Sequence, residues 1–256
     1  MKQGLALALV LTLALSLTAC SGNQTGSQPE SSGSGQTSEV ITPSSQTEEP
    51  EAPSETPSSE VSSEEADGEA AGSSMLIAYF SYAENAVLPD GVDASATASI
   101  QTWNNELTGN TGVVAHMIAE ATGADLFSIQ TVEKYPDTYD ATIDQGREEQ
   151  NADARPELAA LPENLESYDV IFLGYPNWWG DMPMAIYSFL EQVDLSGKTI
   201  VPFVTSGGSG FSSSIGIIEN MQSGATVQEG LSIGDSSATS AQDQVNEWLS
   251  GLGYVE

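Results

Sequence analysis

Val170 to Phe211 constrains the fold of this chain more than any other stretch, reading VIFLGYPNWWGDMPMAIYSFLEQVDLSGKTIVPFVTSGGSGF. Its two short apolar runs, Val170–Gly174 and Thr199–Val204, are β-branched or aromatic without polar alternation, the pattern of strands covered on both faces. Between them Pro183 to Gln192 carries helical spacing, with Ile186, Phe189, Leu190 and Val193 on one side. Strand, helix and strand with short connections make a βαβ crossover, and such a crossover requires a parallel sheet. Each strand then opens into a loop, Tyr175-Pro176-Asn177-Trp178-Trp179-Gly180 after the first and Thr205-Ser206-Gly207-Gly208-Ser209-Gly210 after the second. Open α/β sheets bind ligands just beyond the carboxyl ends of their strands. Two adjacent tryptophans beside a glycine-rich turn therefore point to a flat aromatic ligand, held against a ring with backbone amides at its polar edge.

The same segment resembles the flavodoxin-like family, and within it the longer bacterial group in which a Tyr-Pro-x-Trp-Trp loop precedes Pro-x-x-x-x-x-Phe-Leu. The later Ser-Gly-Lys-Thr-Ile-x-Pro-Phe at Ser196 to Phe203 and the Thr-Ser-Gly-Gly-Ser-Gly at Thr205 to Gly210 fit that group as well. The resemblance covers about Met75 to Val255. It implies a three-layer, doubly wound α/β fold with a five-stranded parallel sheet in order 2-1-3-4-5, and FMN at the strand carboxyl ends. The residues themselves support the parallel sheet and the aromatic site without identifying FMN.

The N-terminus sets an expected address. Met1-Lys2 is a thin positive start, Gly4 to Leu17 is apolar, and Leu17-Thr18-Ala19-Cys20 matches a lipobox. The apolar run is shorter than the roughly 20 residues of a membrane span, so residues 1–20 read as a lipoprotein signal peptide with Cys20 as the lipidated residue. Two acyl chains anchor stably where one does not. The expected location is the outer face of the bacterial cell membrane, and Cys20 being the only cysteine excludes an internal disulfide.

Residues 21–74 are dominated by Ser, Glu, Gly, Pro, Thr and Gln, with no aromatic and no basic residue. Such a segment buries too little apolar surface to offset its ordering entropy and is expected to be a disordered linker with a coil span on the order of 40 Å. The folded domain is expected over residues 75–256. Of the 37 acidic residues eleven lie in the linker, leaving 26 against Lys134, Arg147, Arg155 and Lys198, a formal net of −22. That sign argues against nucleic acid, which needs a basic footprint.

Met75 to Ser81 reads as a buried strand ending in a serine, after which a phosphate-binding turn is the family's pattern. Here the pattern is interrupted. A Pro/Gly/Ala/Thr stretch without helical period follows, and the family-like turn returns only at Leu107-Thr108-Gly109-Asn110-Thr111-Gly112, entering a helix that Gly123 stops. Residues 83–107 thus read as an insertion at the mouth of the site. Amides at a helix N-terminus bind an anion without any cation, and hydroxyls add short hydrogen bonds. By this reading Ser81, Thr108, Gly109, Asn110, Thr111 and Gly112 take the phosphate of FMN. Pro176, Asn177, Trp178, Trp179 and Gly180 on one side, and Ser206, Gly207, Gly208 and Ser209 on the other, take the flavin ring. One of Trp178 and Trp179 is expected to be core, and Trp103 to be a ring cover or a loop anchor.

His116, the sole histidine, reads as structural, and no second histidine supports a metal cluster or a Ser-His dyad. Asp140 to Arg155 reads as a solvated polar helix whose Arg147 and Arg155 are candidates for a place over the site. Neither ring-flanking loop contains a lysine or arginine, so the second reduction of a bound flavin is expected to lie low, the more so if Asp181 faces the ring. Two functions fit these residues. One is an FMN-dependent electron carrier or oxidoreductase of the quinone or flavin reductase type, with a small-molecule or protein redox partner. The other is a scaffold module that kept the fold and lost the cofactor.

Overall fold

Apolar runs that alternate faces assemble the centre of the sheet. The computed structural model describes residues 74–92 and 99–256; the signal-like segment with Cys20, and the acidic linker up to residue 73, lie outside the described residues. Strand β1, Met75–Tyr79, points Leu76 and Ala78 to one core and Ile77 and Tyr79 to the other. It is flanked in parallel by β4, Asp125–Ser128, and β5, Val170–Pro176. Strand β6, Thr199–Ser206, follows in parallel with β5.

The fifth strand position is filled in two pieces, β7, Thr226–Val227, and β8, Leu231–Gly234. Strand β7 pairs with Thr199 and Ile200, and β8 with Phe203 to Ser206. Between these stretches lies Pro202, which has no N–H to give a neighbour. Its carbonyl faces Gly230, where a methyl group would lie 2.7 Å from it. Counting positions in the main sheet along the chain, the order is 2-1-3-4-5, all parallel, as expected.

Helices cover both faces. Helix α2, Asn110–Thr122, packs with α6, Gln242–Leu252, over Ile77, Phe172 and Phe203. Helix α4, Met184–Gln192, and α5, Ser214–Met221, cover Leu173, Tyr175 and Val204 on the other side, with α3, Tyr139–Asn151, beside α4. Gly123 ends α2 at φ 72°, donating its N–H to the Ala119 carbonyl, so the stop read from the sequence is a left-handed cap. Among the described residues no helix is long and apolar enough to cross a membrane.

The insertion carries more regular structure than the sequence suggested. Helix α1, Tyr82–Asn85, is a single turn, too short to show a period. Beyond it β2, Gln101–Trp103, and β3, Glu106–Thr108, form an antiparallel hairpin. Asn104 and Asn105 turn it with φ of 50° and 70°, the paired positive values of a type I′ turn, which asparagine tolerates.

Candidate functional site

The turn expected to take a phosphate, which the insertion divides in sequence, is rejoined in space. The Ser81 hydroxyl, just beyond β1, is buried and among the described residues has no hydrogen-bond partner. It lies against Gly109, the residue before α2. A methyl group at Gly109 would run into Ser81 Oγ and lie 2.8 Å from the Ser99 carbonyl oxygen, so only glycine fits between them. Among the described residues helix α2 then begins with no side-chain cap on its first amides. Asn110 is the residue of this turn that reaches the cavity wall.

The other residues of the turn hold it from behind. Thr111 Oγ1 meets Thr205 Oγ1 at 2.7 Å, tying the start of α2 to the end of β6. Thr108 Oγ1 donates at 2.6 Å to Glu84 Oε1 and would be struck by any methyl on Gly112. Glu84 also accepts from the Tyr79 hydroxyl at 3.2 Å and from Ser128 Oγ at 3.1 Å. Burial pushes the Glu84 carboxyl above the ordinary range, and these hydrogen bonds pull it back in part.

The tryptophan loop is a second tight turn. The backbones of Trp178 and Asp181 exchange hydrogen bonds of 2.8 and 3.1 Å, and Trp179 and Gly180 between them sit at φ 56° and 80°. Those are again type I′ values, comfortable for Gly180 and strained for a residue as bulky as Trp179. Asn177 braces the turn, accepting from the Gly180 amide at 3.0 Å and donating to the Gly210 carbonyl at 2.8 Å. The two tryptophans divide as expected. Trp178 packs edge-on to Phe80 and Tyr135 with centroids 5.5 and 5.3 Å away, and against Gly146, where a methyl would lie 3.1 Å from its ring. Trp179 is 47% exposed, donates Nε1–H to the Ile143 carbonyl at 3.1 Å, and carries the Arg147 guanidinium 4.4 Å over its ring.

In the glycine loop Ser206 Oγ accepts from the amides of Gly208 and Gly210 at 3.3 and 2.9 Å, so it shapes the loop rather than waiting for a ligand. Gly207 is the loop residue on the cavity wall, beside Ser206; Gly180, Gly208 and Ser209 are off it.

These segments enclose a cavity of about 410 Å³, within the size of small-molecule sites, which run from about 300 to 1,000 Å³. Of the residues expected to hold cofactor, Asn110, Pro176, Asn177, Trp178, Trp179, Ser206 and Gly207 line it. Sequence reasoning missed one whole wall: Tyr139, Thr142, Ile143 and Gly146 on α3, spaced as one helical face. That helix is therefore solvated on one side only. Arg147 reaches the mouth through Trp179, whereas Arg155 is held away by Asp153 and Glu191, both at 2.7 Å. Asp181 does not line the cavity; its carboxylate accepts from the Tyr187 hydroxyl at 2.8 Å and from the Met182 amide at 2.7 Å. The carboxylate at the wall is Asp235, which follows β8 beside Gly207.

Trp103 lies off the cavity and is a loop anchor, stacked on His116 with centroids 5.6 Å apart. Burial holds His116 below the ordinary imidazole range, with Glu106 and Glu120 drawing it the other way. No group of residues able to hold a metal ion occurs among the described residues.

A three-layer parallel fold with its cavity at the strand carboxyl ends defines a class, and comparison with known proteins agrees. Residues 104–252 match the family model described as flavodoxin; the chain belongs to that family. Two candidate flavoproteins are similar to it in structure, from Bacteroides eggerthii at 27% identity and a TM-score of 0.54, and from Bacteroides uniformis at 27% and 0.51. Both likenesses cover 70% of this chain, with 98% of the first protein and 99% of the second. A flavoprotein from Lactobacillus acidophilus, crystallised in complex with FMN, is further off at 19% identity and a TM-score of 0.46, covering 67% of this chain and 99% of that one. No curated protein matches the chain.

Proposed function

We propose that this chain binds FMN in the cavity and transfers electrons through it, at the outer face of a bacterial membrane to which Cys20 anchors it. The rejoined phosphate turn is the observation that carries the reading. A buried hydroxyl without a partner among the described residues, a glycine that tolerates no side chain, and an uncapped helix N-terminus meet beside Asn110, the residue of the turn on the cavity wall. Together they suit a phosphate monoester without any cation, which is what a domain this acidic requires. Asn110 and the first amides of α2 hold the phosphate, with Ser81 Oγ behind them against Gly109. Trp178 and the α3 face give the ring an apolar wall, and the backbone at Gly207 gives its polar edge a partner. FMN supplies the redox chemistry when bound, while these residues bind it, orient it and exclude water.

The redox partner is a small molecule of the quinone class or a protein. The lipobox Leu17 to Cys20 and the acidic tether behind it support the membrane location. The test is direct. Purified full-length chain is expected to be yellow, with a flavin absorption spectrum, and to release FMN on denaturation. Colourless protein that takes up no FMN in a fluorescence titration would refute the reading and leave a scaffold that kept only the fold.

A further inference from the structure

We propose that the inserted hairpin β2–β3 is a working part of the cofactor site, with Gln101 as the residue that positions Asn110 toward the phosphate; this rests on the FMN reading above. Gln101 and Trp103 precede residue 104, where the family match begins, so family membership assigns them no role. Gln101 donates from Nε2 to Asn110 Oδ1 at 2.8 Å. An amide held by its oxygen turns its NH2 group elsewhere. Among the described residues Asn110 Nδ2 has no partner of its own, and Asn110 is only 7% exposed while lining the cavity. The contact therefore presents a donor, rather than an acceptor, at the end of the cavity where the anion binds. Were the amide reversed, its oxygen would face the phosphate and repel it.

The hairpin is seated firmly enough to hold that orientation. Trp103 stacks on His116 of α2 with planes 8° apart, and Tyr79 of β1 meets the same imidazole edge-on at 6.5 Å. Gln101 pairs across the hairpin with Thr108, whose side chain is fixed by Glu84. The segment leading into the hairpin closes the same end of the site, because the Ser99 carbonyl is one of the two atoms that press on Gly109. An insertion that parts the phosphate turn in sequence thus returns to complete it, replacing a continuous loop by two strands and a helix end.

The experiment titrates FMN and riboflavin into the full-length chain freed of flavin, following fluorescence quenching. Gln101→Met removes the donor at nearly constant size; it is expected to raise the Kd for FMN about fivefold, the effect of one hydrogen bond, and the Kd for riboflavin less than twofold. Asn110→Ala is expected to cost FMN at least as much, and the double variant no more than Asn110→Ala alone, because Gln101 acts only through Asn110. Trp103→Leu, which loosens the seat, is expected to show the same preference for harming FMN. An unchanged FMN affinity in Gln101→Met, losses that add in the double variant, or equal losses for both flavins would overturn the proposal. A wild-type chain that binds neither flavin would instead refute the FMN reading itself, and the role of the hairpin with it.

Discussion

Gly109→Ala tests the rejoined phosphate turn most sharply. The backbone there is extended, at φ −114° and ψ −178°, so alanine meets no conformational penalty. Loss of freedom in the unfolded chain would by itself stabilise the variant by about 0.4–1 kcal/mol. The methyl group has nowhere to go, however. Ser81 Oγ can rotate out of its path, but the Ser99 oxygen belongs to the backbone and would sit 2.8 Å away. That is about half an ångström inside the roughly 3.3–3.6 Å at which carbon ordinarily meets a carbonyl oxygen. Overpacking of this kind costs about 1–3 kcal/mol, and a mid-range cost of about 2 kcal/mol leaves a net destabilisation of about 1–1.6 kcal/mol. Urea unfolding followed by tryptophan fluorescence measures it, for Gly109→Ala, Ser81→Ala and the double variant. Ser81→Ala deletes a hydroxyl without a partner and is expected to change stability by less than about 0.5 kcal/mol. The double variant should recover about 0.5–1 kcal/mol of the Gly109→Ala loss, since one of the two obstructions is gone. A Gly109→Ala protein as stable as wild type, or strict additivity, would show that Ser81 and Ser99 do not close on this residue.

Further outcomes follow from other parts of the structure. A carboxyl whose folded pKa is raised holds its proton more tightly in the fold, so the stability it contributes is present at low pH and is lost as pH rises from about 4 through the raised value. Glu84→Gln should therefore unfold at higher urea than wild type above that window, with the gain shrinking as pH falls through it; a gain that does not vary with pH would contradict the cause assigned to Glu84. Asp235→Asn should raise the potential of the second reduction of bound FMN and Asp181→Asn should leave it nearly unchanged, because only Asp235 lines the cavity. Spectroelectrochemical titration distinguishes the two, and a larger shift for Asp181→Asn would reverse the placement. Cys20→Ala should leave the protein unprocessed or released from membranes, and an unchanged mature mass in the detergent-soluble fraction would exclude lipidation.

Much of the sheet was legible because β1, β5 and β6 are buried on both faces, and Val170 to Val204 therefore shows unbroken apolar runs. The hairpin β2–β3 was missed even though Asn104-Asn105 is a type I′ signal, since its strands are only three residues long and half exposed. Helix α3 was found, but its cavity face was not. Thr142 and Gly146 give no apolar period, and Gly146 is small because Trp178 lies on it. In the phosphate turn the residue types were readable and their division of labour was not. Thr108 and Thr111 look like phosphate ligands in sequence, and only the fold shows their hydroxyls already engaged by Glu84 and Thr205. Asp235 stands alone after a strand that Pro202 has split, with no motif around it.

The place of β1 in the sheet has a consequence for how the protein meets its surroundings. This strand enters the sheet at Met75 and reaches the cavity end at Tyr79, four residues later, a rise of about 13 Å. Ser74, where the described residues begin, therefore lies at the end of the sheet opposite the cavity. For the membrane anchoring proposed above, the tether would join the domain at Ser74, a strand's length from the cavity, which leaves the cavity mouth clear of the join.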